Sequence, residues 1–214
     1  MTIQHRLMII DDHALIRFGI ARVFDDTTDM RVVADGDTWS DIVQIMGNEG
    51  CDLLLLDIDL PGRSGIDILK QVKKDYPRLP VLMLSMYPED QYAVRALKAG
   101  AGGYLNKASP PQIMIAAART VLGGRKYISP EIAQALVDSL GQDDSDQPVH
   151  EKLSDREFQT LRLIASGKRL SEVAETLNLS PKTVSVYRAR ILEKMNLGSN
   201  AEITHYALKH GLVK

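Results

Sequence analysis

Hydrophobic positions along the chain follow two different rhythms. Short apolar runs stand at 7–10 ("LMII"), 31–34 ("RVVA"), 53–56 ("LLLL"), 81–84 ("VLML") and 102–105 ("GGYL"), and these predict strands. The stretches between and after them, 13–25, 38–48, 65–75, 89–99 and 110–122, carry apolar residues at helical spacing. Strand and helix alternate five times, which predicts an α/β doubly wound fold: a five-stranded parallel sheet with helices on both faces. The run "VLMLS" is apolar almost throughout, as a strand covered on both sides must be. Beyond it, "RKYISPEIAQALVDSL" predicts a helix over about 130–139, with Ser129 as N-cap and Pro130 at its first position. Polar, acidic "GQDDSDQPVHEK" then reads as connecting chain, so residues 124–150 form a linker that includes this helix. From 151 to 214 the pattern is helical, a small all-α domain of four helices.

Composition agrees with two cores. A chain of 214 residues can close two domains, and 44% hydrophobic with 25% charged residues is ordinary for a soluble globular protein. No apolar run approaches the roughly 20 residues of a membrane span. The opening "MTIQHRLMIIDD" meets acid too soon for a secretory signal. Cys51 is the sole cysteine, which excludes an internal disulfide and fits a reducing compartment; its place before an apolar strand predicts plain packing. Charge is unevenly spread: residues 1–123 carry −3, 124–150 another −3, and 151–214 carry +4. Only the basic tail suits a polyanion.

The candidate chemistry lies where strands end. Ligands of open parallel sheets bind beyond the carboxyl ends of the strands, near the reversal of strand order. Asp11 and Asp12 follow the first strand, Asp57 ends the third, Ser85 ends the fourth, and Lys107 lies just past the fifth. The fold would gather three carboxylates, a hydroxyl and an ammonium on one rim. Like charges that close need compensation, and Mg²⁺, which keeps several waters, suits a shallow acidic site. Asp57 is then the best-placed carboxylate nucleophile, Lys107 a point charge for an added phosphate, and Ser85 a donor to a phosphoryl oxygen. Singly, each residue could end a turn or cap a helix; Asp12 is as well placed to cap a helix starting at His13.

"MIIDDH", "LLLLDIDLPGRSG", "VLMLS" and "GAGGYLNK" resemble the receiver domain of two-component response regulators over residues 5–123. The resemblance implies that Asp57 accepts a phosphoryl group from the histidine of a sensor kinase. It implies that Asp11, Asp12 and Asp57, with the backbone carbonyl of Asp59, place Mg²⁺, and that Ser85 and Tyr104 form a switch pair. Two departures stand out: Ser85 replaces the more usual threonine, and Met86 follows it where a smaller residue is frequent, which would slow autodephosphorylation. "DID" after an apolar strand also resembles the nucleophile motif of haloacid-dehalogenase-type phosphatases, with Asp57 and Asp59 as the pair. That motif belongs on a first strand, and it would leave Asp11 and Asp12 without a role.

In the tail, "LSDREFQTLRLIASG" has Ser154 and Glu157 spaced as a capping box, and Gly167 as the stop. "LSEVAETLNL" and "SPKTVSVYRARILEKMNLG" follow, joined by "NLS", the spacing of a helix-turn-helix. On a helical projection of the latter, Val184, Ile191 and Met195 face inward with Tyr187 at their edge, while Lys182, Ser185, Val186 and Ala189 face out with Arg190 at the margin. Val186 and Ala189 would meet thymine methyls and Ser185 a base edge, with Lys168, Lys182, Thr183 and Arg190 on phosphates. Arg188 lies on the inward arc and is expected to pair with Glu157.

Residues 150–214 resemble the LuxR-type DNA-binding domain, and with a receiver in front the chain resembles a NarL/FixJ-type response regulator. The resemblance implies a cytoplasmic bacterial transcription factor, not an enzyme, whose partners are a sensor histidine kinase or phosphotransfer protein, double-stranded DNA and a second copy of itself. On the last helix, Ile203, Tyr206, Ala207 and Leu208 either supply a dimer face or pack on the other three helices. An alternative keeps the DNA-binding half and makes the receiver a phosphorylation-independent interaction module.

Overall fold

The computed structural model describes residues 4–48, 50–86, 89–140 and 148–213. The central part of the predicted linker, 141–147, lies outside them. The strands are β1 (His5–Ile10), β2 (Met30–Gly36), β3 (Leu53–Asp57), β4 (Val81–Ser85) and β5 (Gly103–Asn106), all parallel in the order β2-β1-β3-β4-β5. Between them run α1 (Ala14–Asp25), α2 (Trp39–Asn48), α3 (Gly65–Asp75) and α4 (Glu89–Lys98), followed by α5 (Pro111–Leu122) and α6 (Pro130–Leu140).

Each predicted strand is present, and the reason for burial is visible in β3, where all five residues are enclosed. Leu53 and Leu55 join Leu7, Ile9, Leu82 and Leu84 in a core closed by Ile20 and Phe24 of α1 and by Met114, Ala117, Ala118 and Val121 of α5. β2 runs two residues beyond its predicted end, because Asp35 and Gly36 pair with Ile9 and Ile10 after a register shift in β1. Strand order reverses across β1 and β3, so the residues leaving those two strands flank the switch point.

The chain divides near residues 139 and 140, so α6 groups with the sheet. Ser129 receives the Ile132 N–H at 3.2 Å, as its predicted capping role requires, and Ile132 is fully buried. Cys51 is half-buried 3.8 Å from the Met46 sulfur, and burial pushes its thiol up to about 12, so it packs rather than reacts.

The second unit holds a 3-10 turn (Val149–Lys152), α7 (Asp155–Ala165), α8 (Leu170–Thr176), α9 (Pro181–Met195) and α10 (Asn200–Lys209). The capping box forms: the Glu157 N–H donates to Ser154 Oγ at 3.3 Å and the Ser154 N–H to Glu157 Oε2 at 2.8 Å. Gly167 ends α7 with φ +87°, a left-handed angle that strains any residue with a Cβ. Asn178 turns α8 into α9 with φ +50°. Val184, Ile191 and Met195 are buried as the projection predicts.

Two expectations need correction. Arg188 does not reach Glu157; its Nε donates to Asn200 Oδ1 at 2.5 Å, tying α9 to the start of α10. Glu157 pairs instead with Lys194, at 2.6 Å, because α7 crosses α9 nearer its C-terminal end. Periodicity assigns a residue to a side of a helix but not to a height along its neighbour. On α10, Ile203 and Ala207 are fully buried within the unit and offer nothing to a dimer face. Tyr206 is half-buried, its hydroxyl 3.0 Å from His150 Nδ1 and its ring stacked on His210 at 4.2 Å. Of the four, Leu208 alone is exposed, at 54%.

Burial alone would raise the Glu157 carboxyl, but Lys194 and the cap bonds outweigh it and hold it below its usual range. The stabilisation is therefore present above the ordinary glutamate pKa and fades as the pH falls through the depressed one. Lys194→Ala should cost about 1 kcal/mol at neutral pH, since Lys194 is partly exposed and screened. Urea unfolding should show the difference from wild type shrinking in acid.

Candidate phosphoacceptor site

Three strand ends build the site. Asp11 leaves β1, and its backbone N–H bonds to Gly36 O at 3.1 Å, which anchors it to the end of β2. Arg17 of α1 donates through Nη1 to the Asp11 carbonyl and through Nε to Asp35 Oδ2, both at 2.6 Å, and fixes the same corner from outside. Asp57 is the last residue of β3, paired with Leu84. Lys107 follows β5, and its N–H donates to Ser85 O at 2.8 Å. Asn106 shapes that turn, its Oδ1 accepting from the Ala108 N–H at 2.8 Å.

The side chains converge. Lys107 Nζ lies 2.6 Å from Asp11 Oδ2 and 2.9 Å from Asp57 Oδ1, bridging two carboxylates that are 1% and 2% exposed. Asp57 Oδ2 is buried without a hydrogen-bond partner among the described residues. Asp12, a third exposed, stands at the rim with its Oδ1 2.5 Å from His13 Nδ1. Ser85 is fully buried at the end of β4. Tyr104 is fully enclosed too, because α4 packs over β5 and covers what would otherwise be an edge strand. Asp59 is half-buried beyond Asp57, and Met86 is 61% exposed past Ser85.

Asp12 does not cap α1. His13 occupies the N-cap position without a side-chain cap bond, and its N–H is taken by Asp11 Oδ1 at 2.9 Å. That leaves the Asp12 carboxylate free of the helix and next to Asp11.

Two residues of the site escape sequence reasoning. Gly65, the first residue of α3, donates its N–H to Ile58 O at 2.8 Å; a Cβ there would stand 1.9 Å from the carbonyl oxygen of Asp57. Only glycine lets α3 begin against the backbone of Asp57. His13 is the other: Asp11, Asp12 and His13 each offer a ligand atom, and these lie within 4.8 Å of one another. The adjacency in "DDH" is the signal that finds it.

Electrostatics follow from burial. Desolvation pushes the Asp57 carboxyl up to about 7, opposed by Lys107 and reinforced by Asp11 and Asp59. Burial by itself would lower Lys107, yet Asp57 and Asp11 more than compensate and hold its ammonium above the usual range. The residues fit a divalent cation: more carboxylate than one lysine neutralises, and a buried oxygen of Asp57 left without a partner.

This arrangement stores a pH-dependent cost. Because the folded-state value of Asp57 is raised, nothing is lost below the ordinary carboxylate value of 3.8, and stability falls as the pH rises toward and through about 7. In Mg²⁺-free buffer above that range, Asp57→Asn should be more stable than wild type by about 2 kcal/mol in urea unfolding. The advantage should shrink toward acid, where the wild-type carboxyl is protonated as well.

In the α9 region, Lys168, Lys182, Ser185, Val186, Ala189 and Arg190 are exposed and Thr183 is half-buried. Thr183 Oγ1 lies 2.8 Å from Ser180 Oγ at the helix start, Ser185 Oγ donates to Pro181 O at 2.9 Å, and Lys168 Nζ donates to Thr176 Oγ1 at 2.9 Å. Among the described residues, no helix is long and apolar enough to cross a membrane.

Comparison with known proteins places both halves. Residues 7–119 match the response regulator receiver domain, and residues 151–207 the bacterial regulatory proteins of the luxR family. The response regulator UvrY of Escherichia coli (strain K12) is 34% identical over 206 residues, covering 96% of this chain and 94% of that protein. The response regulator GacA of Pseudomonas protegens is 36% identical over 208 residues, covering 97% of each. Among solved structures, the response regulator ChrA of a heme-sensing two-component system is 29% identical with TM-score 0.53, covering 98% of this chain and 99% of that one. RcsB from Salmonella enterica serovar Typhimurium, bound to promoter rprA with phosphomimetic BeF3−, shares the fold at 22% identity and TM-score 0.64, over 95% of this chain and 98% of that one. The chain therefore belongs to the NarL/FixJ-type response regulators of two-component systems, DNA-binding transcription regulators in which a receiver domain precedes a LuxR-type helix-turn-helix domain.

Proposed function

We propose that Asp57 is the phosphoacceptor and that its phosphorylation by a sensor histidine kinase controls DNA binding by α9. The observation that carries this reading is the division of labour between the two Asp57 oxygens: Oδ1 is held by Lys107, and Oδ2 is buried without a partner among the described residues. Oδ2 attacks the phosphorus of a phosphohistidine, the new O–P bond forms as the P–N bond breaks, and the imidazole leaves. Asp11, Asp12, Asp57 and the Asp59 carbonyl would hold Mg²⁺, which when bound neutralises charge on the phosphoryl oxygens. Lys107 favours the ionised carboxylate and aims it, and afterwards pairs with the phosphate as a point charge.

Ser85 and Tyr104 are the proposed switch pair. Both are already inside the protein, so the switch would redistribute existing buried contacts. Phosphorylation can shift the equilibrium only by as much as the phosphate prefers one arrangement over the other. Met86, exposed past Ser85, would slow the approach of hydrolytic water.

On the DNA side, Lys182 and Arg190 with Lys168 and Thr183 would contact phosphates, and Val186, Ala189 and Ser185 would face base edges. Ser185 already donates its proton to Pro181 O, so toward a base it serves first as an acceptor.

Acetyl phosphate with Mg²⁺ should add one phosphoryl group to the intact protein by mass spectrometry, and Asp57→Asn should abolish the gain. An equal gain in the variant would move the acceptor elsewhere. For DNA, Lys182→Ala should weaken binding at every sequence and reduce the salt dependence by about one counterion. Val186→Ala should instead change which sequences are preferred, by about 1 kcal/mol at one base pair, measured by selection from random DNA.

A further inference from the structure

His13 has no task in the phosphoryl transfer outlined above, yet it stands at the mouth of the acidic pocket. Its Nδ1 lies 2.5 Å from Asp12 Oδ1 and 3.5 Å from Asp11 Oδ1. Its backbone is pinned by the bond from its N–H to Asp11 Oδ1, while its side chain is 64% exposed. In the same acidic site, Asp57 Oδ2 is a buried oxygen with no hydrogen-bond partner among the described residues. The geometry points to His13 as a nitrogen ligand that tunes this pocket toward first-row transition ions such as Mn²⁺ and away from Mg²⁺. The inference rests on the reading of Asp11 and Asp12 as metal-holding residues.

The physical case turns on what each ion accepts. Mg²⁺ demands oxygen ligands in near-octahedral array and gives up water reluctantly. Imidazole suits transition metals, whose affinity for nitrogen rises along the first row. Before any ion arrives, the His13 ring occupies Asp12 Oδ1. Mg²⁺ must displace that ring to use the carboxylate and gains nothing from it. Mn²⁺ also has to part Nδ1 from Oδ1, but it keeps both atoms as ligands. The same side chain therefore acts as a competitor for one ion and a ligand for the other.

The test uses the full chain at one fixed pH, about 8, for every variant and ion. Mn²⁺ binding is followed by electron paramagnetic resonance, and Mg²⁺ binding by competition against it, in wild type, His13→Gln and Asp12→Asn. His13→Gln should weaken Mn²⁺ by about tenfold, tighten Mg²⁺ by about twofold, and remove the nitrogen-14 modulation from the spin-echo signal of bound Mn²⁺. Equal weakening of both ions would make His13 a positioning residue for Asp12 and overturn the proposal. Unchanged Mn²⁺ affinity, or wild-type Mn²⁺ without nitrogen modulation, would overturn it too. Asp12→Asn separates the two readings: if it leaves both ions bound as in wild type, the metal-holding role of the acidic pair fails with everything built on it. If it weakens both while His13→Gln changes neither, only the histidine inference falls.

Discussion

One ammonium shared between two buried carboxylates organises the receiver. Asp11 and Asp57 come from adjacent strands, and the charge that Lys107 inserts between them offsets the cost of burying two carboxylates side by side. The arrangement constrains the rest. β5 has to run beside β4 so that Lys107, just past its end, reaches Asp57, and the Lys107 N–H bond to Ser85 O sets that depth. α3 has to start against the Asp57 carbonyl, which only Gly65 permits. The helices that cover the strands serve to keep water from one short row of charges.

The compensation is incomplete, and that is its use. A lysine that fully satisfied Asp57 would leave no open oxygen, and a site with no cation would not keep the carboxylates together. Leaving Oδ2 unpartnered in a dry place puts the pocket in a state that an incoming cation or phosphoryl group can improve. The second unit solves the opposite problem. There Glu157 Oε2 is taken by both Lys194 and the cap of its own helix, and the residue holds geometry without being asked to react.

Much of this was legible in the sequence, and unevenly. Strands buried on both faces announce themselves as apolar runs, so the residues that leave them could be placed on one rim before any coordinates. What escaped were contacts whose partner is backbone or whose position depends on packing height. Gly65 looks like one more loop glycine beside Gly62 until the Asp57 carbonyl is seen where its Cβ would go. The Arg188 and Lys194 exchange is a matter of one helix crossing another two turns further along, which periodicity does not encode. On α10, Ile203 and Ala207 satisfied the pattern of an apolar face; they were core because α7 packs against that side, and Tyr206 found a partner in His150.

The hydroxyl of Ser185, turned back onto its own helix, has a consequence at the scale of a genome. If α9 is the reading helix, its exposed face is left with two small apolar side chains and few free donors. Such a surface carries little information about a base sequence. Chance matches to so brief a message would be abundant among millions of competing sites. Selectivity would then have to come from counting protomers along the DNA, not from reading harder with each one.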